Sequence, residues 1–450
     1  MRKRPRLSLS EGEILRALGG LEAALTDHHD RYPGVPESRQ PVHTVAGGAH
    51  LFRRDTAAKL GRIARGYLDR YAGGPAALAD ALGGAWSPGL AEVVHQRLRG
   101  KLEREPVESF LIDFEDGFGT RADEDEDAAA VAAAEETAAG VVAGSLPPAL
   151  GIRLKPLSDI TGGRALRTLD LFLTALVASD GSLPEGFSVL LPKIVRPEQV
   201  EVLARTLDRL EQGLGLARDA VAIDLMIETP QSLIGPDGRI VASDLVDAAG
   251  GRCRTVHLGA YDLTGSASVA AEEQTLDHPL LETARQILKL SLAQTDVQLS
   301  DGATNVLPVE PHRGRTALSA FERDENRSVV RHAWRQHYFD VRRSLSQGYY
   351  QSWDLHPAQL VSRYAAVFSF FLEGLDAAAW RLERFVAGAG QAILTGSVFD
   401  DEASGQGLLN FFLRGLASGA LTPEEAARSG LSSKELETRS FREILERRGA

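Results

Sequence analysis

The chain has 450 residues, 43% hydrophobic and 25% charged, which is enough for a large core and ordinary for a globular protein. A formal charge of −12 argues against nucleic acid or an anionic membrane as the main partner, though not against a local basic pocket. Cys253 is its one cysteine, which excludes an intrachain disulfide and a thiolate metal cage.

The opening stretch MRKRPRLSLSEGEIL is basic but lacks the apolar core of roughly 7–15 residues found in a signal peptide. No window approaches the roughly 18 apolar residues of a membrane span. A cytoplasmic protein is expected. Ser10 and Glu13 have the spacing of a capping box, with Ile14, Leu15, Leu18, Leu21 and Leu25 behind them, so residues 10–30 are predicted helical. RYPGVPESRQP then reads as a proline-rich loop.

From VHTVAG onward, short apolar runs alternate with helical ones. VHTVAG precedes a helix around 55–72, ESFLIDFEDG an alanine-rich helix, ALGIRLKP a helix near 164–178, and FSVLLPKI the amphipathic PEQVEVLARTLDRL. AVAIDLMIETP, RTVHLGAYDL, TDVQLSDG and QGYYQSWDLHP complete about eight β-then-α units. That count predicts an α/β fold, a (β/α)8 TIM barrel, rather than an open sheet. The acidic run DEDED at 123–127 reads as the first turn of a helix, where carboxylates favour the dipole. Beyond about residue 372 the pattern predicts helices without strands. The expected division is an N-terminal helical arm over 1–40, the barrel with the metal and substrate site over 41–372, and a C-terminal helical lid or oligomerisation segment over 373–450.

In such barrels the C-terminal ends of the strands face the active-site mouth. Those ends carry Asp113, Glu115 and Asp116, then Arg153 and Lys155, Lys193, Glu228, Asp262 and His356. Glu228 and Asp262 read as a metal pair. Two carboxylates without clustered His or Cys suit a hard cation, Mg2+ or Mn2+, rather than zinc. Arg153 suits a substrate carboxylate. Lys193 has two readings, a contact to substrate or to a ligand phosphate, or pairing with a neighbouring acid. His356 reads as a structural hydrogen-bonder or a substrate contact, and Tyr349, Tyr350 and Trp353 as packing aromatics at the mouth.

Taken in order, IDFEDG, GIRLKP, LLPKI, MIETP, LGAYDL and DLHPAQ resemble the HpcH/HpaI aldolase–citrate lyase β-subunit family, over about residues 41–410. That family includes malyl-CoA lyases and is related to malate synthase. The resemblance implies a Mg2+-dependent carbon–carbon lyase or aldolase acting on a 2-oxoacid, with an acyl-CoA partner. It implies Glu228 and Asp262 as metal ligands, with Glu115 and Asp116 orienting metal-bound water. Arg153 would hold the 2-oxoacid, whose carboxylate the amides of Gly259 and Ala260 would cradle. In TGSVFDDEASG, Asp400 matches a catalytic aspartate often delivered to a neighbouring subunit, which implies a homo-oligomer; Asp401 adjoins it. Pro230, His257, the segment GGAHLFRRD, the arm and the insert at 310–328 depart from the family pattern. Two alternatives remain open: a CoA-independent class II pyruvate aldolase with His50 as base, and a 2-oxoacid-binding barrel without catalysis.

Overall fold

The computed structural model describes residues 8–34, 38–180, 182–314, 317–388, 393–395, 398–400 and 402–448, excepting the side chains of 180, 393–395, 398–400, 402 and 403. Eight parallel strands close on themselves: β1 (His43–Gly48), β2 (Ser109–Asp113), β3 (Ala149–Arg153), β4 (Ser188–Leu191), β5 (Ala222–Ile227), β6 (Cys253–Leu258), β7 (Gln298–Ala303) and β8 (Gln351–Asp354). β1 pairs with β2 on one side and β8 on the other, so no edge is left exposed. The chain is a (β/α)8 barrel with helical extensions.

Strand periodicity explains how apolar runs deliver polar ends. In β5, Ile223, Leu225 and Ile227 point outward into the main core against the helices, while Met226 joins Leu111, Leu190, Ala303 and Trp353 inside the barrel. Two residues beyond Met226, Glu228 therefore arrives on the inner side, at the mouth. Among the described residues, no helix is long and apolar enough to cross a membrane.

Four sequence expectations are revised. The arm is two helices, Glu11–Ala17 and Leu21–Arg31, because Gly20 takes a left-handed φ of 86°. The Ser10–Glu13 capping box forms, yet no residue of either helix is buried. Between β1 and β2 the chain inserts three helices, Thr56–Ala72, Pro75–Leu82 and Pro88–Arg104. The C-terminal segment is not purely helical: Ile393–Thr395 (β9) and Val398–Asp400 (β10) form an antiparallel pair. The helix Gln359–Ala387 also runs unbroken across residue 372. DEDED does open a helix, Asp123–Ala143, as expected.

Candidate active site at the barrel mouth

Asp113 organises the loop after β2. Its Oδ1 accepts from the Glu115 amide (2.9 Å) and Arg153 Nε (2.7 Å), and its Oδ2 accepts from the Gly117 amide (2.7 Å) and Arg153 Nη2 (2.5 Å). A Cβ on Gly117 would lie 2.6 Å from Asp113 Oδ2, so only glycine permits this turn. Arg153 is thus held by its fork edge, and its Nη1 reaches Glu115 (3.2 Å) and Asp116 (3.6 Å). The guanidinium also lies over the Trp353 ring, 5.8 Å from its centroid. Facing three acids, its pKa is raised despite burial.

Lys193, after β4, adopts a left-handed φ of 51°, unusual for a residue with a side chain. Its amide consequently donates to Glu228 Oε1 at 2.7 Å. Its ammonium stands 3.0 Å from Glu115, 3.7 Å from Asp116 and 3.7 Å from Asp262. Of its two sequence readings, pairing with neighbouring acids is the one seen. Against burial, those acids raise its pKa.

Glu228 is 4% exposed. Burial, then Asp262 and Glu115, push its pKa up to about 8. Thr229 ends the strand by capping the 3-10 turn Pro230–Ser232 and donating to the Ile194 carbonyl at 2.6 Å. Asp262 lies in the first turn of the helix Ala260–Ser266 and is exposed. Burial also raises the pKa of Glu115, whose oxygens are buried without a well-aligned hydrogen bond although Lys193 and Arg153 stand close.

The mouth therefore gathers five carboxylates, Asp113, Glu115, Asp116, Glu228 and Asp262, around two cations, Arg153 and Lys193. Three of the five, Asp113, Glu115 and Glu228, are buried, and an excess of negative charge that is largely buried favours a proton or a metal cation. The donors are all oxygen, which fits Mg2+ or Mn2+. A tighter acidic trio exists elsewhere among the described residues: ligand oxygens of Asp208, Glu211 and Asp219 lie within 4.8 Å of one another. It sits at the opposite end of the barrel, where Arg252 already pairs with all three. We read that trio as an ion-pair cluster.

Other expected site residues fall as follows. The Gly259 amide donates to the Ile227 carbonyl at 2.9 Å, so it is committed to the sheet. Ala260 opens the following helix, whose first N–H groups have no intrahelical partner. His356 caps its own turn through the Ala358 amide (3.2 Å) and packs against Tyr67, away from the acids. Trp353 lies inside the barrel and donates to His257 Nδ1 at 3.0 Å. Tyr349 and Tyr350 precede β8 and so stand at the opposite end from the expected mouth. Asp400 ends β10, but its side chain, like all of Asp401, lies outside the described residues.

Gly259 has a different role. A Cβ there would lie 2.4 Å from Glu228 Cβ and 2.6 Å from its Oε2, so the missing side chain makes room for the glutamate. Gly259→Ala is expected to push Glu228 aside and weaken Mg2+ binding about 10–100-fold in calorimetry, as loss of support around a ligand does. The backbone there has a φ of −91°, open to any residue, so the melting temperature should change less than metal affinity.

The sequence profile of one protein family, described as a domain of unknown function (DUF6986), matches residues 21–444. The chain belongs to the DUF6986 family. The DUF6986 match takes in the second arm helix, the whole barrel and the C-terminal helices, so these form one family unit. No curated protein matches the chain in sequence. Among solved structures, a citrate lyase from Burkholderia xenovorans LB400 superposes with a TM-score of 0.52 at 18% identity, covering 77% of this chain and 94% of that one. A Haloferax volcanii malate synthase at 3 mM glyoxylate gives 0.46 at 14% identity, over 90% and 98%. At these identities the likeness concerns the fold.

Sequence reasoning missed the Asp113–Arg153 pairing, the left-handed Lys193 and the reason for Gly259. The run D-F-E-D-G does carry a turn signal for the first, an aspartate followed four residues later by glycine. The other two have no local signature.

Proposed function

We propose that this DUF6986 protein is a Mg2+-dependent carbon–carbon lyase or aldolase acting on a 2-oxoacid, with an acyl-CoA as second substrate in the condensing direction. The observation that carries this reading is the surplus of three carboxylates at the mouth, five against two cations, with Glu228 pushed up to about 8. The shared barrel with a citrate lyase is consistent with it. Glu228 and Asp262 would hold Mg2+, or Mn2+ in its place, with Glu115 and Asp116 orienting water beside it. When bound, the metal supplies Lewis-acid polarisation of the 2-oxo group.

The protein's own groups supply the rest. Asp113 takes the Nε–Nη2 edge of Arg153, which leaves the Nη1 donors and the second Nη2 N–H for a substrate carboxylate. It therefore orients the substrate through the end of the guanidinium that Asp113 leaves open. Once the acids are neutralised, Lys193 is freed from Asp262 to meet a substrate oxygen. In the condensing direction Asp400 accepts a proton from the acyl α-carbon. The electron pair left there forms the new bond to the 2-oxo carbon, and the carbonyl oxygen is finally protonated. Cleavage runs these transfers in reverse. A second copy of the chain as the source of Asp400 follows the family resemblance.

A second reading, the CoA-independent pyruvate aldolase, is favoured by His50. Its Nδ1 is buried without a hydrogen-bond partner, its ring packs on Phe118, and burial and Arg121 lower its pKa. An imidazole that stays neutral is able to act as a base. The test is a Mg2+-dependent assay offering glyoxylate, oxaloacetate or pyruvate with acetyl-CoA, propionyl-CoA or simple aldehydes. Turnover with an acyl-CoA is the expected result. Turnover with pyruvate and aldehydes alone would select the aldolase, and 2-oxoacid binding without turnover the non-catalytic barrel.

A further inference from the structure

At the opposite end of the barrel, the segments leading into β1, β7 and β8 form one wall of a cavity of about 1250 Å³. The arm forms a second wall, pinned there by the Gly34 amide on the Gln294 carbonyl (2.9 Å) and by Arg31 on Asp247 (2.9 Å). Residues of the helix Glu402–Ala417 and the last helix, Phe441–Arg448, close the third.

The charge in this cavity is opposite to that of the whole chain. Lys289, Arg414, Arg439 and Arg442 line it, against two acids, Asp296 and Glu443. Arg442 pairs with Glu446 (3.0 Å) and Glu443 with Arg447 (3.3 Å), so those two are matched locally. Lys289 and Arg414 make different contacts. Lys289 Nζ donates to the Gly348 carbonyl at 2.7 Å and lies over the Tyr349 ring. Arg414 Nη1 donates to Gln40 Oε1 at 2.9 Å, and its guanidinium lies 5.0 Å from the Tyr350 centroid. Their hydrogen-bond partners are neutral oxygens. Both side chains are partly buried, and drawing two neighbouring cations out of water without a carboxylate carries a cost that a bound anion would offset.

We propose that this cavity is a binding site for a small multiply charged oxyanion, a phosphate ester or a polycarboxylate, held between Lys289 and Arg414 on the face remote from the mouth. The guanidinium supplies planar paired donors and the ammonium a point charge, the usual combination for such groups. Burial and the neighbouring Arg414 lower the pKa of Lys289 to about 8, and burial also lowers that of Arg414. Each cation is therefore placed where added negative charge is favoured.

The experiment titrates the intact protein with inorganic phosphate, pyrophosphate or citrate, read by calorimetry and by melting temperature. Saturable binding of at least one probe is expected, with a raised melting temperature. Lys289→Met and Arg414→Gln should each weaken it at least about tenfold, and Arg414→Lys should recover part of the loss. Glu228→Gln should leave it unchanged. Pyrophosphate binding without citrate would mark a phosphate site, and the converse a polycarboxylate site. No saturable binding of any probe at about 10 mM would overturn the proposal, as would binding that survives both neutralising variants or disappears in Glu228→Gln. The ligand-free melting temperature gives an independent readout. An anion site expects Lys289→Met to hold or raise it, because one of two repelling cations is gone. A marked fall would assign Lys289 to capping Gly348 alone and overturn its role here.

Discussion

Replacing Glu228 by glutamine is expected to abolish tight Mg2+ binding and cut turnover about a thousandfold, the scale of several kcal/mol of lost charge stabilisation. The metal-free protein should respond in the opposite sense and become more stable. The sign follows from the titration. In the folded chain Glu228 titrates near 8, above its ordinary 4.5. Its contribution to stability is therefore fully present below about pH 4.5 and is lost as pH rises through about 8. Metal-free wild type should lose stability over that window, and Glu228→Gln, with no charge to form there, should lose less. Melting curves from pH 5 to pH 9 with chelator, repeated with Mg2+, measure both effects. Mg2+ should raise the wild-type melting temperature more at pH 8 than at pH 5.5, because it competes with the proton for the same oxygens. A metal response in Glu228→Gln equal to wild type would remove Glu228 from the metal site.

Arg153→Met should damage the protein by another route. Asp113 is 1% exposed, and without the guanidinium it is left as a buried charge facing Glu115. Breaking a buried pair from one side costs about 3–5 kcal/mol, so the urea midpoint should fall sharply. Asp113→Asn in the same chain should recover only part of this. The amide oxygen still accepts one backbone N–H, but Asp113 now accepts two, from Glu115 and Gly117. Turnover should be lost as well, because the guanidinium proposed to hold the 2-oxoacid is gone. Mg2+ affinity, in contrast, should hold or rise, since a positive charge has left the mouth. That divergence separates Arg153 from Glu228: one loses stability and keeps the metal, the other loses the metal and gains stability without it.

The barrel was legible because its signal is local and repeated. Each parallel strand is buried on both faces and reads as an apolar run, and each is followed by a helical pattern. The same periodicity set the facing of Glu228, two residues beyond the inward Met226. The hairpin β9–β10 was not legible, because three-residue strands are too short to show a period. The arm leucines do fall on helices, but spacing shows only that a face is apolar and not that anything covers it.

The amino-acid sequence by itself determined the strand order, the acids and bases at the strand ends, and the oxygen-only character of the candidate metal site. These depend on neighbours along the chain. Only the tertiary structure decided which of those groups meet. Asp113 and Arg153 are 40 residues apart and pair because β2 and β3 lie side by side with those two residues in register. The left-handed turn at Lys193, the space that Gly259 leaves for Glu228 and the basic cavity at the far end likewise arise from barrel closure. Closure brings distant segments within a few ångströms, where Coulomb energy and steric exclusion fall off too steeply for sequence spacing to foretell the partner.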